Sequence, residues 1–320
     1  MHKPASRDVH VLRYFSSFIG VSDGKVIYVS DPLIKACPLA SHLYKGLKAV
    51  DSADKEALKR QIKKIIESKI RDFGFCTAKR KLLRSDSVIA YGASEMLMAA
   101  LKMKVIDSAV IVCDGAGTII TNRPDVVQGI GARMNSVLLT SPIRETIVRL
   151  KSLGCIVAFD NALIDQAHGV EQAIRHGYKR IAVTVSGHDA GILKRIRQIE
   201  SAGNATVTIL AVCTTGVTAE KIEDIRRYGD IVWSCASQDI REHIGTAAVL
   251  QISKQIPVFV LTRKGIDLFS ASAQDPAVVR GLDTRKKYLI SHETGGRQVK
   301  SGRLRGFLRE REALHGHKAG

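Results

Sequence analysis

The sequence predicts an α/β protein with a parallel, Rossmann-like layered sheet flanked by helices and a small N-terminal α+β part. Two observations indicate this fold class. From about Ser87 onward, short apolar runs alternate regularly with helix-like stretches. The later runs, such as IAVTV, VTILAV and VFVLT, are continuously apolar, which is typical of strands covered on both faces in a parallel sheet. A partial or full barrel is the second interpretation of the same alternation.

The first part of the chain, residues 1–86, differs from the rest. The run GVSDGKVIYVS predicts a hairpin that turns at Asp23-Gly24. Cys37 follows in a loop between two prolines. Apolar residues at helical spacing then predict a helix over 52–72. These features indicate a small appendage that carries its own hairpin and helix.

The parallel domain is predicted to span 87–270, followed by a basic and flexible C-terminal tail over 271–320. Helix signals such as SEMLMAALKM, SPIRETIVRLKSLG and AEKIEDIRRYG lie between the strands of this domain. The predicted strands are 87–91, 108–113, 155–159, 180–185, 205–212, 230–235 and 257–262.

The net charge of +18 is distributed unevenly. Residues 280–318 contain 11 Lys and Arg against 4 Asp and Glu. A second basic group is predicted on the polar face of the 52–72 helix: Lys55, Lys59, Arg60, Lys63, Lys64 and Lys69. Since aromatic residues make up 5% of the chain and no RNA-binding or zinc-finger signature is present, we do not expect nucleic acid as a partner. Solvated basic faces or a cleft for an anionic small molecule fit the charge better.

The sequence shows no signal peptide and no apolar run long enough to cross a membrane. We therefore expect a cytoplasmic protein without membrane association. Its cysteines are expected to be thiols or ligands rather than structural disulfides.

Ligands of parallel α/β folds bind at the carboxyl ends of the strands, where loops meet helix N-termini. Candidate catalytic residues in these loops are Asp114, His188 and Asp189. His188 and Asp189 could form a base and its orienting carboxylate, with a helix N-cap role for Asp189 as the alternative. Candidate cofactor-binding residues are Gly115, Gly117, Thr118, Gly129, Gly131, Arg133, Thr214, Thr215, Gly216 and Ser237.

The stretch CDGAGT, Cys113 to Thr118, admits several interpretations. Its glycines could bring backbone N–H groups to a phosphate, although the third glycine of a dinucleotide fingerprint is absent. Asp114 with the residues after it resembles the nucleophile loop of haloacid-dehalogenase-type phosphotransferases, in which an aspartate attacks phosphorus. A plain tight turn remains open as well.

Cysteines also follow or precede several predicted strands and loops. Four of them, Cys37, Cys76, Cys113 and Cys235, could converge at the carboxyl edge and hold an iron–sulfur cluster or metal, with Cys213 as a substitute. Buried, inert thiols are the alternative.

Seven motifs along the chain are DPLIKACPLA, KIRDFGFCT, IVCDGAGTIIT, VQGIGARM, IDQAHGVEQAIRHGYKRIAVTV, TTGVTAEKIEDI and CASQDIRE. Together they resemble the methanogenesis marker protein 8 family. The resemblance runs from about Asp31 to Thr262. The resemblance implies an archaeal protein linked to methane metabolism, without an established reaction or catalytic residues. It implies as partners either a strongly anionic cofactor or a methane-metabolism enzyme under maturation.

Overall fold

The computed structural model describes residues 8–33, 54–134 and 136–311. Within them the strands are, in chain order, β1 His10–Tyr14, β2 Ser17–Ser22, β3 Lys25–Val29, β4 Ser108–Cys113, β5 Gly117–Thr121, β6 Ser136–Thr140, β7 Ile156–Val157, β8 Arg180–Ser186, β9 Thr206–Val212, β10 Ile231–Trp233, β11 Leu250–Ile252, β12 Val258–Val260, β13 Tyr288–Ser291, β14 Arg297–Ser301 and β15 Leu304–Glu310. The strands form two sheets of mixed α/β architecture.

Helices connect and cover these strands. They are α1 Lys55–Phe73, α2 Ala93–Lys102, α3 Pro124–Gly131, α4 Arg144–Ser152, α5 Gln166–Arg175, α6 Leu193–Ala202, α7 Ala219–Tyr228, α8 Gln238–His243, α9 Arg263–Ser270 and α10 Pro276–Arg280, with a 3₁₀ turn at Gly187–Ile192. No helix in the described ranges is long and apolar enough to cross a membrane.

The small sheet has the strand order β3-β2-β1-β6, and every neighbouring pair in it is antiparallel. The hairpin predicted at Asp23-Gly24 joins β2 to β3. Helix α1 covers one face of this sheet and begins at Asp54, whose carboxylate accepts a hydrogen bond from the Ala57 amide at 2.8 Å. Since β6 comes from the middle of the chain, the small sheet is not built by residues 1–86 alone.

The large sheet has the order β14-β15-β13-β11-β12-β10-β9-β8-β4-β5-β7. Its centre, β4, β8, β9 and β10, is parallel, as are β11 and β13. All its other neighbouring strands pair antiparallel, so the sheet is mixed and largely antiparallel rather than a Rossmann-like parallel layer. A continuous apolar run indicates that a strand is covered on both faces. It does not indicate whether the strand is parallel or antiparallel to its neighbours.

Two apolar clusters cover the two faces of the large sheet. Helices α2, α3 and α9 pack on one face, and α5, α6 and α7 pack on the other. A third cluster lies between the small sheet and α1. The parallel centre is therefore a buried three-layer structure, and its carboxyl edge lies beside the small sheet, because Cys213 after β9 approaches Arg13 of β1.

The described part of the C-terminal segment forms strands. Strands β13, β14 and β15 extend the large sheet, where the sequence predicts a flexible tail from 271. Along β15, Leu304, Gly306 and Leu308 are buried, whereas Arg305 between them is exposed. The high arginine content leads to the prediction of a tail. In the structure the basic residues occupy the outward positions of an ordinary strand.

Two further elements differ from the expectation. Residues 87–91 form turns rather than a strand. Strand β5, with every residue buried, follows β4 through a three-residue turn and makes the antiparallel hairpin that the sequence does not predict. Strand β5 is short and begins with Gly117, which weakens its strand signal.

Candidate functional site

A cavity of about 1530 Å³ opens at the carboxyl edge of the parallel strands. This is larger than the roughly 300–1,000 Å³ of common small-molecule sites. The ends of the large-sheet strands line it with Ser186, Cys213, Trp233, Cys235, Ser253 and Ser291. The small sheet and helix α1 close its other side. It is thus located where three elements of the fold meet.

Three cationic residues line the end of the cavity near the small sheet, and we call Arg13, Lys69 and Arg133 the cation cluster. Arg13 stands opposite Ser136 in the β1–β6 ladder. Lys69 is 2% exposed, and its Nζ donates a hydrogen bond to the Arg133 carbonyl at 2.8 Å. Burial lowers the pKa of Arg13, opposed by the Cys213 thiol. No carboxylate among the residues that the structure describes forms an ion pair with Arg13, so its guanidinium is available to bind an anion.

Arg133 is the most unusual member of the cluster. Its backbone is left-handed, with φ of 62°. Its guanidinium lies over the Phe73 ring, 5.4 Å from the ring centroid, and its buried Nε has no hydrogen-bond partner within the described residues. A buried N–H without an acceptor costs roughly 1–3 kcal/mol. That cost is removed when a ligand oxygen reaches Nε.

Two cysteines at the cavity also have a left-handed backbone, with φ of 56° at Cys213 and 49° at Cys235. Each follows the end of a parallel strand, so the strained residue turns the chain at the cavity wall. Non-glycine residues in this region cost on the order of 1 kcal/mol or more, and such strain is concentrated at functional sites.

The Cys213 thiol lies among the groups of the cation cluster. Burial raises its pKa, while hydrogen bonds from Ser136 and the charges of Arg13 and Lys69 act in the opposite direction. With its pKa raised, the thiol is neutral at neutral pH, and it presents a soft, uncharged surface beside Arg13 and Lys69.

Asp189 lines the cavity from the turn after β8, and His188 lies next to it in the chain. Burial raises the pKa of Asp189, against the charge of Lys221. Burial also lowers the pKa of His188, as does Arg13. The His188 Nε2 is 3.1 Å from the Thr215 carbonyl, so the ring is held by that carbonyl and not by Asp189. Asp189 is therefore the acid–base candidate of the cavity. The predicted pair, with His188 as the base and Asp189 as its orienting carboxylate, is not formed by this hydrogen bond.

Asp114, the other catalytic candidate, lies outside the cavity. It is fully buried, and its Oδ1 accepts from Arg80 Nε at 2.8 Å while its Oδ2 accepts from the Cys76 amide at 2.6 Å. Arg80, 1% exposed, also donates to the Ile130 carbonyl at 2.9 Å and stacks over the Phe75 ring. Because both carboxylate oxygens bind protein donors, the geometry assigns Asp114 a structural role.

The residues after Asp114 form the turn of the β4–β5 hairpin. Gly115 and Gly117 have φ of 80° and 68°, which favours glycine. The Gly115 amide donates to Thr140 Oγ1 at 2.7 Å, and the Thr118 amide donates to the Leu163 carbonyl at 3.1 Å. The whole turn is buried, so these N–H groups are not presented to an anion. Of the interpretations of CDGAGT, the tight turn agrees with this geometry.

Gly129 and Gly131 lie in α3, not in a flexible turn. A Cβ on Gly129 would stand 2.1 Å from the Leu82 carbonyl oxygen, and one on Gly131 would stand 2.6 Å from the Ser94 Cβ. Both glycines allow close packing against neighbouring segments. Their role is in packing rather than in ligand binding, and Arg133 follows two residues after Gly131.

The remaining predicted binding residues divide between the cavity and the protein interior. Thr215 lines the cavity, and its Oγ1 accepts from the Ala236 amide at 3.1 Å. Thr214 is buried and donates to the Trp233 carbonyl at 2.6 Å. Gly216, with φ of 74°, lies beside Arg13, and Ser237 caps α8 by accepting from the Ile240 amide. Only Thr215 of these four faces the cavity.

The cysteines do not assemble a metal site within the described ranges. No group of three or more His, Cys, Asp or Glu there is placed to hold a metal ion. Cys76 belongs to the apolar cluster of the small sheet, whereas Cys113 belongs to that of the large sheet. Burial raises the pKa of both thiols. Cys37 lies outside the described residues, so an iron–sulfur cluster that includes it stays a prediction.

Comparison with known proteins places the chain in a family. Residues 10–274 match the family described as "Uncharacterized protein conserved in archaea (DUF2099)". The chain belongs to this archaeal family. It is 39% identical over 272 residues to "Uncharacterized protein MJ0054" of Methanocaldococcus jannaschii, a match that covers 84% of this chain and 92% of the relative. No solved structure matches the chain. The finer resemblance to methanogenesis marker protein 8 stays a prediction.

Several cavity residues of this DUF2099 protein were not predicted as site residues. Lys69 is assigned to a polar helix face by its charge, yet it is buried on the face of α1 that also carries Ile62 and Ile66. Its spacing of three from Ile66 is the signal that places it there. The sequence around Arg13 and Ser291 does not indicate that they belong to a site, because the pairing of distant strands brings them to the cavity.

Proposed function

We propose that this protein binds a small organic anion in the cavity, with the carboxylate, phosphate or sulfonate held by Arg13 and Arg133 beside Cys213. The observation that carries the proposal is the buried Arg133 Nε without a hydrogen-bond partner in the described chain. Arg13 supports it, since its guanidinium is half-buried, which lowers its pKa, and no ion pair joins it to a carboxylate of the described residues. An oxyanion satisfies both guanidinium groups at once.

Asp189 gives the cavity a group able to exchange a proton with the bound anion. Its pKa is raised by burial, which brings it nearer to neutral pH, where an acid–base group is most effective. Its position on the cavity wall, in the turn after β8, supports this role. The proposed function therefore includes chemistry at the ligand as well as binding.

The resemblance to methanogenesis marker protein 8 supports a narrower class of ligand. Anionic cofactors of methane metabolism carry sulfonates, phosphates and carboxylates, the groups that paired arginines bind. We propose that the protein handles such a cofactor, or acts in the maturation of an enzyme that uses it. The archaeal family match over residues 10–274 includes Arg13, Arg133 and Cys213, which is consistent with this.

Calorimetric titration of the full chain with inorganic phosphate, methanesulfonate and citrate tests the binding. We expect at least one probe to bind, and Arg13→Gln or Arg133→Gln to weaken it about tenfold to a hundredfold, as loss of a hydrogen bond to a charged group predicts. Arg175→Gln is the matched control, because Arg175 is exposed on α5 and pairs with Glu171. Equal affinities for the wild type and both cavity variants would contradict the proposal.

A further inference from the structure

We infer that the anion bound by this protein is elongated, with an apolar chain that crosses the cavity and a polar far end that reaches Ser291. This rests on the proposed function, because the cation cluster is its anchor. The inference concerns the shape and chemistry of the ligand beyond its charged group. Three observations carry it.

The first observation is the wall between the two ends of the cavity. Beyond the cation cluster the lining is formed mainly by apolar side chains, among them Ile89, Leu97, Ile111, Ile130, Trp233 and Ile290. They come from separate elements, since Leu97 lies on α2, Ile130 on α3 and Trp233 on β10. A ligand that consists of an oxyanion alone leaves this surface in contact with water. An apolar chain covers it at a gain of about 0.8 kcal/mol per methylene.

The second observation is Ser291 at the far wall. It is the last residue of β13, it is 6% exposed, and its Oγ has no hydrogen-bond partner among the residues that the structure describes. Ser291 lines the same cavity as the cation cluster. A buried hydroxyl without a partner is costly, and a polar ligand group beside it removes that cost.

The third observation is the distance between the two ends. Cys213 follows β9 and Ser291 ends β13, and the strand order β13-β11-β12-β10-β9 places four inter-strand steps between them. At about 4.8 Å per step, the ends are roughly 19 Å apart. A single phosphate or carboxylate does not span this distance. An extended molecule with an anionic head and a polar tail does.

Titration of the full chain with alkyl monophosphates from methyl to decyl tests the apolar chain. We expect the affinity to rise about fourfold per methylene until the chain fills the cavity, as the free energy of methylene burial predicts. Ala90→Phe, which introduces a ring at a partly buried position on the wall, should shorten the chain length at which the increase ends. Thermal unfolding of the variant verifies its fold.

The polar far end is tested with 10-hydroxydecyl phosphate. Ser291→Ala should weaken its binding about threefold to tenfold and leave the binding of decyl phosphate unchanged. Ser108→Ala is the matched control: the Ser108 Oγ is likewise buried without a partner in the described chain, but it lies at the start of β4 away from the cavity.

The outcomes separate this inference from the proposed function. If methyl phosphate binds through Arg13 and Arg133 and longer chains add no affinity, the proposed function stands and the elongated ligand is contradicted. If chain length matters but Arg13→Gln and Arg133→Gln bind as well as the wild type, the anchor and with it both proposals fail. Unchanged binding of 10-hydroxydecyl phosphate by Ser291→Ala contradicts the polar far end.

Discussion

Arg133 shows how a single residue combines structural cost with a role in binding. A left-handed backbone, a guanidinium stacked on Phe73 and an Nε without a partner in the described structure all occur at this position. The left-handed backbone and the Nε without a partner in the described structure are unfavourable for folding, whereas the stacking on Phe73 is favourable by about 0.5–1 kcal/mol. Removing the guanidinium should therefore weaken anion binding without lowering the free energy of unfolding by more than about 1 kcal/mol.

Asp114 differs from Arg133, because its buried ion pair with Arg80 stabilises the fold. Asp114→Ala leaves the Arg80 guanidinium buried without its carboxylate, so we expect the free energy of unfolding to fall by about 3–5 kcal/mol. Urea denaturation measures this change. Asp160→Ala is the control, because Asp160 pairs with Lys151 on the surface and should change stability by about 0.5 kcal/mol or less. Loss of binding by Asp114→Ala with full stability would instead indicate a role at the ligand.

Asp189 should make the protein less stable at neutral pH than at acidic pH, because burial raises the pKa of its carboxyl group. Its folded pKa lies above the unfolded value, so the folded state binds the proton more tightly and ionisation at neutral pH destabilises the fold. Asp189→Asn should therefore be more stable than the wild type at neutral pH. The difference should vanish below the ordinary aspartate pKa of about 3.9, where both side chains are neutral.

Urea denaturation of Asp189→Asn and wild type at both pH values tests this dependence, with Asp160→Asn as the exposed control. A stability difference that stays constant across this range, or that grows on acidification, would show that Asp189 is not held with a raised pKa.

At the level of elements, helix α3 contains a glycine, Gly129, that allows close packing against residue 82. Gly129→Ala should destabilise the protein by about 1–3 kcal/mol or more, although alanine is the better helix former, because the new Cβ would meet the Leu82 carbonyl. Gly191→Ala is the control, since nothing lies within 4 Å of a Cβ at that glycine. Thermal unfolding compares the two variants. Equal stabilities would contradict the close contact between α3 and residue 82.

Strand β15 is the element that most clearly departs from the sequence-based expectation. Leu308→Ala should lower the free energy of unfolding by about 2–5 kcal/mol, because Leu308 packs in the cluster of the large sheet. Arg305→Ala, exposed on the same strand, should change it by about 0.5 kcal/mol or less. If both variants unfold like the wild type in urea, the C-terminal segment does not belong to the core.

The elements differ in how closely the sequence predicts them. Strands β4, β8 and β9, helix α1 and the first hairpin are predicted closely, because their apolar spacing and turn residues act locally. The direction of β12 is not predicted, since it depends on which strands become its neighbours, and β5 and β11 are not predicted as strands. Arginine-rich β15 is missed because its composition outweighs its alternation.

At the scale of the whole molecule, the candidate site is partly predicted. The rule that loops after parallel strands form sites leads to Asp189, Cys213 and Thr215, which line the cavity. It leads equally to Asp114 and Gly117, because a strand end does not reveal whether the next residues turn into solvent or into the core. Arg13 and Lys69 come from other parts of the chain, and only the packing of the small sheet on the large one brings them to the cavity.

The central claim is that Arg13 and Arg133 hold an oxyanion at the carboxyl edge of the parallel strands. The most direct measurement is a crystal structure of the protein with selenate, located by the anomalous scattering of selenium. We predict a selenate whose oxygens lie within hydrogen-bond distance of the Arg133 Nε and the Arg13 guanidinium, and which is absent from the same site in Arg133→Gln. Selenate bound only to exposed lysines and arginines of α1 or β15, with the cation cluster unoccupied, would contradict the account.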